Sequence, residues 1–269
     1  MALTALQRRV CRLIAANRKA GGESYVAGGV ALNELLAGER ISRDIDLFRD
    51  SEEALAATWK ADRPLLEAAG LELEVVRERP GFVEARVRGD GDSVLLEWAR
   101  NSAFRFFPLV EHAELGLTLH PFDLATNKVL ALVGRLEVRD WIDLIQCHER
   151  LQPLGYLIWA ACGKDPGFGP LGLLEEAGRT SRYSADEINA LIFSGPPPDA
   201  AALSRKWHGA LAQAREILAA LPLESTGHAV LTANGALFGG PRAALLEALA
   251  AEQVRFHRGA LRGVFPQLG

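Results

Sequence analysis

Apolar and polar residues alternate along Asp44-Ile45-Asp46-Leu47-Phe48. That is the period of a strand with one face in a core, so Asp44 and Asp46 share a face and Ile45 and Leu47 point the other way. Upstream, the apolar run Tyr25-Val26-Ala27 ends at Gly28-Gly29 and passes into Val30-Ala31-Leu32. This predicts a short strand, a glycine turn and a helix start. Fourteen residues lie between Gly29 and Asp44, room for one helix and a turn. Ahead of both, Leu6, Val10, Leu13 and Ile14 mark one face of a helix over residues 3–20. Downstream, Ser51-Glu52-Glu53 caps a helix that runs to about residue 69. Residues 71–79 and 82–88 alternate as strands, residues 88–93 have hairpin chemistry, and residues 94–98 make a third strand.

After Leu119-His120-Pro121 the period becomes helical. Residues 122–135 form an apolar helix with Lys128 in its middle, and Pro121 suits a first helical position. Arg139 opens the next helix, where Arg139 and Asp143 are spaced for an ion pair. Helices are also expected over residues 171–180, 184–193, 200–221 and 241–258, with residues 225–240 rich in turns. The expected fold class is α+β. A first domain with a small mixed sheet and helices, residues 1–120, precedes a mostly α-helical domain, residues 121–269.

Composition narrows the picture modestly. The chain has 269 residues and a formal net charge of −4, so no global basic field advertises nucleic acid. Cys11, Cys147 and Cys162 are scattered without metal spacing and read as free thiols of a reducing, cytoplasmic compartment. The Arg-rich N-terminal segment lacks the apolar core of a signal peptide, and the longest apolar stretch, residues 154–162, is too short for a bilayer. Arg8, Arg9, Arg12, Arg18 and Lys19 read as a solvated helix surface, with a nucleic-acid footprint as the sharper alternative. His208, His228 and His257 have no partner at ligand spacing, and the tryptophans read as core.

Two stretches carry chemistry. A Gly-Gly turn at a helix start exposes backbone N–H groups and the positive end of the helix dipole, and both suit phosphate. Two carboxylates two residues apart on a strand suit a hard divalent cation. Either alone is ordinary; in this order they make a metal–triphosphate site. Glu97 interrupts the apolar run Val94-Leu95-Leu96-Glu97-Trp98 and reads as a third carboxylate of that site, against the default of a water-facing edge. Ser42, two residues before Asp44, and Arg43 are placed to touch a nucleotide. Phosphorylation of Ser42 is expected to set negative charge beside the carboxylates and abolish metal binding.

Gly28-Gly29-Val30-Ala31-Leu32 followed by Ser42-Arg43-Asp44-Ile45-Asp46-Leu47-Phe48 resembles the signature of the DNA polymerase beta-type nucleotidyltransferases, and in particular of the AbiEii/AbiGii-type toxins. A second block, Lys128, Arg135, Arg139-Asp140 and Asp143-Leu144, is similar to the same branch. The resemblance covers about residues 26–144. It implies transfer of a nucleoside monophosphate from an NTP to a hydroxyl, at the 3′ end of a tRNA, by a toxin that a cognate antitoxin holds in check. By it, Asp44, Asp46, Glu97, Lys128 and Asp140 are catalytic, with one or two Mg²⁺ ions, or Mn²⁺, held by Asp44, Asp46 and Glu97. Gly28, Gly29, Val30, Ser42, Arg43 and Lys128 bind nucleotide. Arg135 and Arg139 are weaker candidates and Asp143 a structural one. Competing readings are nucleotidylation of a small hydroxylated molecule such as an aminoglycoside, phosphotransfer to protein hydroxyls, and a non-catalytic nucleotide-binding module.

Overall fold

The computed structural model describes residues 3–21, 24–179 and 183–267. They form two compact units, Met1–Ala103 with Leu109–His120, and Phe104–Pro108 with Pro121–Gly269.

The first unit contains α1 (Ala5–Gly21), β1 (Ser24–Ala27), α2 (Gly28–Leu35), β2 (Arg40–Ile41), β3 (Asp44–Arg49), α3 (Glu52–Ala68), β4 (Glu72–Arg79), β5 (Phe82–Gly89) and β6 (Asp92–Arg100). β7 (Phe104–Arg105) belongs to the second unit, and β8 (Val110–His112) and β9 (Gly116–Thr118) complete the first. Seven of these strands form one mixed sheet in the order β4-β5-β6-β3-β1-β9-β8. β3 runs parallel to β6 and antiparallel to β1, and β1 runs parallel to β9. The α+β expectation with a mixed sheet therefore holds, although the sheet is larger than the small one expected.

One face of this sheet is the core. Ile45, Leu47, Val83, Ala85, Val87, Leu96 and Trp98 are buried, and Trp59 of α3 lies 4.8 Å from the Trp98 ring. The same side buries Asp62, which accepts hydrogen bonds from Asn17 Nδ2 at 2.9 Å and Trp98 Nε1 at 3.0 Å. Burial pushes the Asp62 carboxyl up and the Arg49 guanidinium down to about 10, so the two sit as a costly but mutually useful buried pair. The other face carries the alternate residues. Turns follow the expected chemistry: Ser51 Oγ accepts from Ala54 N at the start of α3, and Asp90-Gly91, both at positive φ, turn β5 into β6. The N-terminal basic residues are engaged inside this unit. Arg12 pairs with Glu114, Arg9 with Asp90 and Lys19 with Glu111, while buried Arg18 donates to Leu115 O.

The second unit contains β7, α4 (Pro121–Arg135), α5 (Val138–Arg150), α6 (Leu154–Ala161), α7 (Pro170–Gly178), α8 (Ala185–Asn189), β10 (Ile192–Phe193), α9 (Ala200–Leu218), β11 (Ala229–Thr232), α10 (Arg242–Ala250), β12 (Val254–His257) and β13 (Ala260–Leu261). All eight residues of α6 are buried, and Gly155 lets it approach α9 so closely that a Cβ there would lie 3.0 Å from Ala214 Cα. Asp123 anchors the start of α4 by accepting the N–H groups of Phe106 and Phe107 and pairing with Lys164 at 2.9 Å.

Several helices are shorter than expected, and α9 ends at Leu218 rather than at residue 221. α8 keeps the Ser184–Glu187 capping box but stops at Asn189, and Ile192-Phe193 is extended. α10 stops at Ala250, and Val254-Arg255-Phe256-His257 becomes a strand paired with β11. Glu252, at φ 54°, turns the chain between them. Thr180, the expected end of another helix, lies outside the described residues. His257 is buried with Nε2 2.8 Å from Phe106 O, a satisfied core histidine, and Cys11, Cys147 and Cys162 are buried free thiols. Among the described residues no helix is long and apolar enough to cross a membrane.

The alternation in β3 is directly testable. Ile45→Ala is expected to lower the unfolding free energy in urea by about 2–5 kcal/mol, whereas Asp44→Asn changes it by less than about 0.5 kcal/mol. Equal losses would mean that β3 is not buried on one face.

Candidate active site

Gly28 is the first residue of α2 and adopts φ +64°, a conformation that L side chains rarely take. A Cβ there would collide with the Asp46 carboxylate, whose Oδ2 packs against the glycine. At Gly29 a Cβ would lie 2.5 Å from Arg40 Nη2 and 2.9 Å from Ser42 Oγ. The two glycines thus bring the α2 N-terminus against the side chains of Asp46, Arg40 and Ser42. Ala27, the N-cap residue, offers no side-chain acceptor for the first-turn amides of Gly28, Gly29 and Val30. The Val30 side chain is itself buried core, so what it offers a ligand is its N–H.

The strand register builds the rest. Asp46 lies directly opposite Glu97 in the parallel β3–β6 ladder, and Asp44 opposite Leu95. Directly paired residues share a face. Asp44, Asp46 and Glu97 therefore stand together on the face away from the core, and all three are half-buried. Glu84 of β5 is paired with Glu97 in turn, extending the row to Asp46, Glu97, Glu84. Ser42 is buried, and its carbonyl accepts from Gln7 Nε2 at 2.6 Å, so α1 helps fix the loop before β3. Arg43 is exposed beside Asp44.

Among the described residues no group of three or more His, Cys, Asp or Glu side chains is gathered closely enough to hold a metal by itself. The donor set nonetheless fits Mg²⁺. That ion is usually held by one or two carboxylates plus substrate phosphate oxygens and water, rather than by an all-protein cage. Asp46 and Glu97, opposed in register with Asp44 along the same face, supply hard oxygen donors beside a glycine turn suited to phosphate.

The second block forms a separate cluster within the second unit. Lys128 Nζ lies 2.8 Å from Asp140 Oδ1 and 2.9 Å from Asp143 Oδ2, and all three residues are buried. Arg135 grips the same Asp140 carboxylate with Nε at 2.6 Å and Nη2 at 2.9 Å. Burial pushes the Asp140 carboxyl up, but the hydrogen bonds and charges of Arg135 and Lys128 outweigh it and hold the group below the usual carboxylate range. Lys128 does not simply snorkel to water; two carboxylates fix it. Asp143 shares this work with Asp140, and Arg139 pairs with Glu137 at 2.6 Å.

Two residues escaped the sequence reading. Arg40 is 4% exposed with its guanidinium against Gly29. Its signal was its place four residues before Asp44. Glu84 was hidden in a hairpin whose exposed charges, Arg86 and Arg88 paired with Glu74 and Glu72, look like plain surface. Only the strand register singles it out. A cavity of about 690 Å³ lined in part by Trp59, Leu55 and Val83 lies on the α3 side of the sheet, away from the carboxylate face.

Two outcomes check this geometry. Gly28→Ala is expected to cost about 1–3 kcal/mol of stability in urea and to displace Asp46; an unperturbed variant would mean that φ there is not constrained. Asp140 is depressed in the folded state. Its stabilisation is therefore fully present above the unfolded carboxylate value of about 3.9 and is lost as pH falls through the folded value. Asp140→Asn is expected to be about 2–4 kcal/mol less stable at neutral pH and to lose less stability than wild type on further acidification. Parallel pH curves for the two proteins would contradict this.

Comparisons with known proteins bear on the family. The family model described as "Nucleotidyl transferase AbiEii toxin, Type IV TA system" matches residues 12–162, more than half of the chain. A search of curated proteins found no match. Among solved structures, a candidate nucleotidyltransferase from H. pylori is similar at 15% identity and TM-score 0.48, over 81% of this chain and 98% of that one. JHP933 from Helicobacter pylori is similar at 14% identity and TM-score 0.49, over 78% and 91%. A tRNA-processing enzyme in its apo form is similar at 19% identity and TM-score 0.30, over 77% and 58%. The assignment rests on the family match: the chain belongs to the AbiEii nucleotidyltransferase toxin family.

Proposed function

We propose that this nucleotidyltransferase moves a nucleoside monophosphate from an NTP to the 3′-terminal hydroxyl of a tRNA, as the toxin of a toxin–antitoxin pair acting in the cytoplasm. The observation that supports the site most is the opposition of Asp46 and Glu97 in register, with Gly28 pressed against Asp46. The tRNA acceptor and the antitoxin are carried over from the family resemblance.

In this reading Asp44, Asp46 and Glu97 would hold one or two Mg²⁺ ions, which when bound neutralise triphosphate charge and acidify the acceptor hydroxyl. The first-turn amides of Gly28, Gly29 and Val30 hold the β- and γ-phosphates at the positive end of α2. Arg40, Ser42 and Arg43 flank that turn and add donors to the nucleotide. The acceptor oxygen attacks the α-phosphorus, the bond from that phosphorus to the α–β bridging oxygen breaks, and pyrophosphate leaves. Glu97, on the same face as Asp46, accepts the hydroxyl proton. Lys128 enters as the resemblance assigns it, a fixed positive charge for the departing pyrophosphate. Asp140 and Asp143 position it. The burial of Ser42 makes its hydroxyl a poor target for modification unless the loop before β3 opens; normal activity of Ser42→Asp would remove that site as a control point.

One observation favours a second reading. The acidic row Asp46, Glu97, Glu84 suits a cationic hydroxylated acceptor such as an aminoglycoside better than a polyanion.

The test is incubation of the purified protein with Mg²⁺, each α-³²P NTP separately, and either total bacterial tRNA or an aminoglycoside. Label on tRNA from one NTP is expected, reduced at least about 100-fold in Asp46→Ala. Label on an aminoglycoside alone would establish the second reading. Mg²⁺-dependent nucleotide binding without transfer to any acceptor would reduce the chain to a binding module.

A further inference from the structure

β4 is an edge strand of the seven-stranded sheet, paired on one side only, with β5. It spans eight residues, and all but Leu73 are exposed. Exposed edges invite pairing, and proteins usually guard them with charge and bulges. Here both devices have an order that fits one particular partner.

The register between β4 and β5 shifts between Val75 and Arg77. Before the shift, Glu72 is opposite Arg88 and Glu74 opposite Arg86; after it, Arg77 is opposite Glu84 and Arg79 opposite Phe82. In a regular strand residues 72 and 79 would face opposite ways. The extra residue places Glu72, Glu74, Arg77 and Arg79 on one face, two acids at one end and two bases at the other. The bulge sits at the midpoint, where Val75 and Val76 are 37% and 45% exposed.

We propose that β4 pairs antiparallel with β4 of a second copy of this chain, forming a two-fold dimer with a sheet continuous across both copies. A two-fold axis at the Val75–Val76 bulge sets Glu72 opposite Arg79 of the second copy and Glu74 opposite its Arg77, each pair occurring twice. Because the axis keeps paired residues on one face, the bulge is what makes this pairing symmetric. Charges then alternate across the sheet as Arg86, Glu74, Arg77 of the second copy and Glu84 of the second copy. Within one chain Glu74 already lies 3.7 Å from Arg86 Nη1 and 2.7 Å from Arg88 Nη2, and a carboxylate can accept from both sides. A parallel copy in the same register meets like charges at all four positions. The two valines are covered at the centre. This interaction is independent of the catalytic reading.

Sedimentation velocity on the full chain, from about 1 µM to about 200 µM at low and high salt, tests it. Wild type is expected to dimerise with concentration, and less so in high salt. Arg77→Glu with Arg79→Glu makes the face wholly acidic, and Glu72→Lys with Glu74→Lys makes it wholly basic. Each double variant is expected to stay monomeric, and an equimolar mixture to form a one-to-one dimer. Hydrogen exchange on wild type provides a reading that needs no variant: residues 72–79 are expected to exchange more slowly as concentration rises. A monomeric wild type, variants that dimerise as wild type does, or exchange in 72–79 that ignores concentration would each overturn the proposal.

Discussion

The parallel pairing of β3 with β6 is the constraint on which the site depends. A strand turns successive side chains to opposite faces, so one ladder assigns two roles at once. Ile45, Leu47, Leu96 and Trp98 go to a core closed by α3, and Asp44, Asp46 and Glu97 go to the other face. Moving either strand by one residue would bury the carboxylates and expose the core, so the stability of the core also fixes the position of the chemistry. Gly28 supplies the second half of the constraint. Its positive φ and missing Cβ let the α2 N-terminus meet Asp46. A helix dipole and a carboxylate row are thereby joined without a long loop between them.

The second unit solves a different problem. Its central helix α6 is wholly buried, and the helices around it carry charged groups into low dielectric. Each is matched: Asp123 with Lys164 and two backbone amides, Lys128 with Asp140 and Asp143, Asp140 with Arg135. Such networks are expensive to break by halves and fix geometry more than they add stability. Lys128 is therefore a rigidly held charge.

Much of this was legible in the chain. Period-two alternation gave β3, β5 and β6; Ser51 and Pro121 marked helix starts; Gly28-Gly29 marked the turn. These signals are local, and the structure agrees with them. The misses were of another kind. Val254-Arg255-Phe256-His257 alternates too, but its neighbours are good helix formers, and only the partner strand β11 decides the matter. Glu84 became visible only through strand register, and Arg40, marked in sequence only by its place before Asp44, through its close approach to Gly29. The acceptor is set by pocket shape and is not written in any motif.

The most direct test of the account is anomalous diffraction from Mn²⁺ in crystals of the protein with a non-hydrolysable NTP analogue. The account predicts manganese beside Asp44, Asp46 and Glu97, with triphosphate oxygens against the Gly28–Val30 amides. Manganese and nucleotide bound away from that face, with the carboxylates untouched, would contradict it.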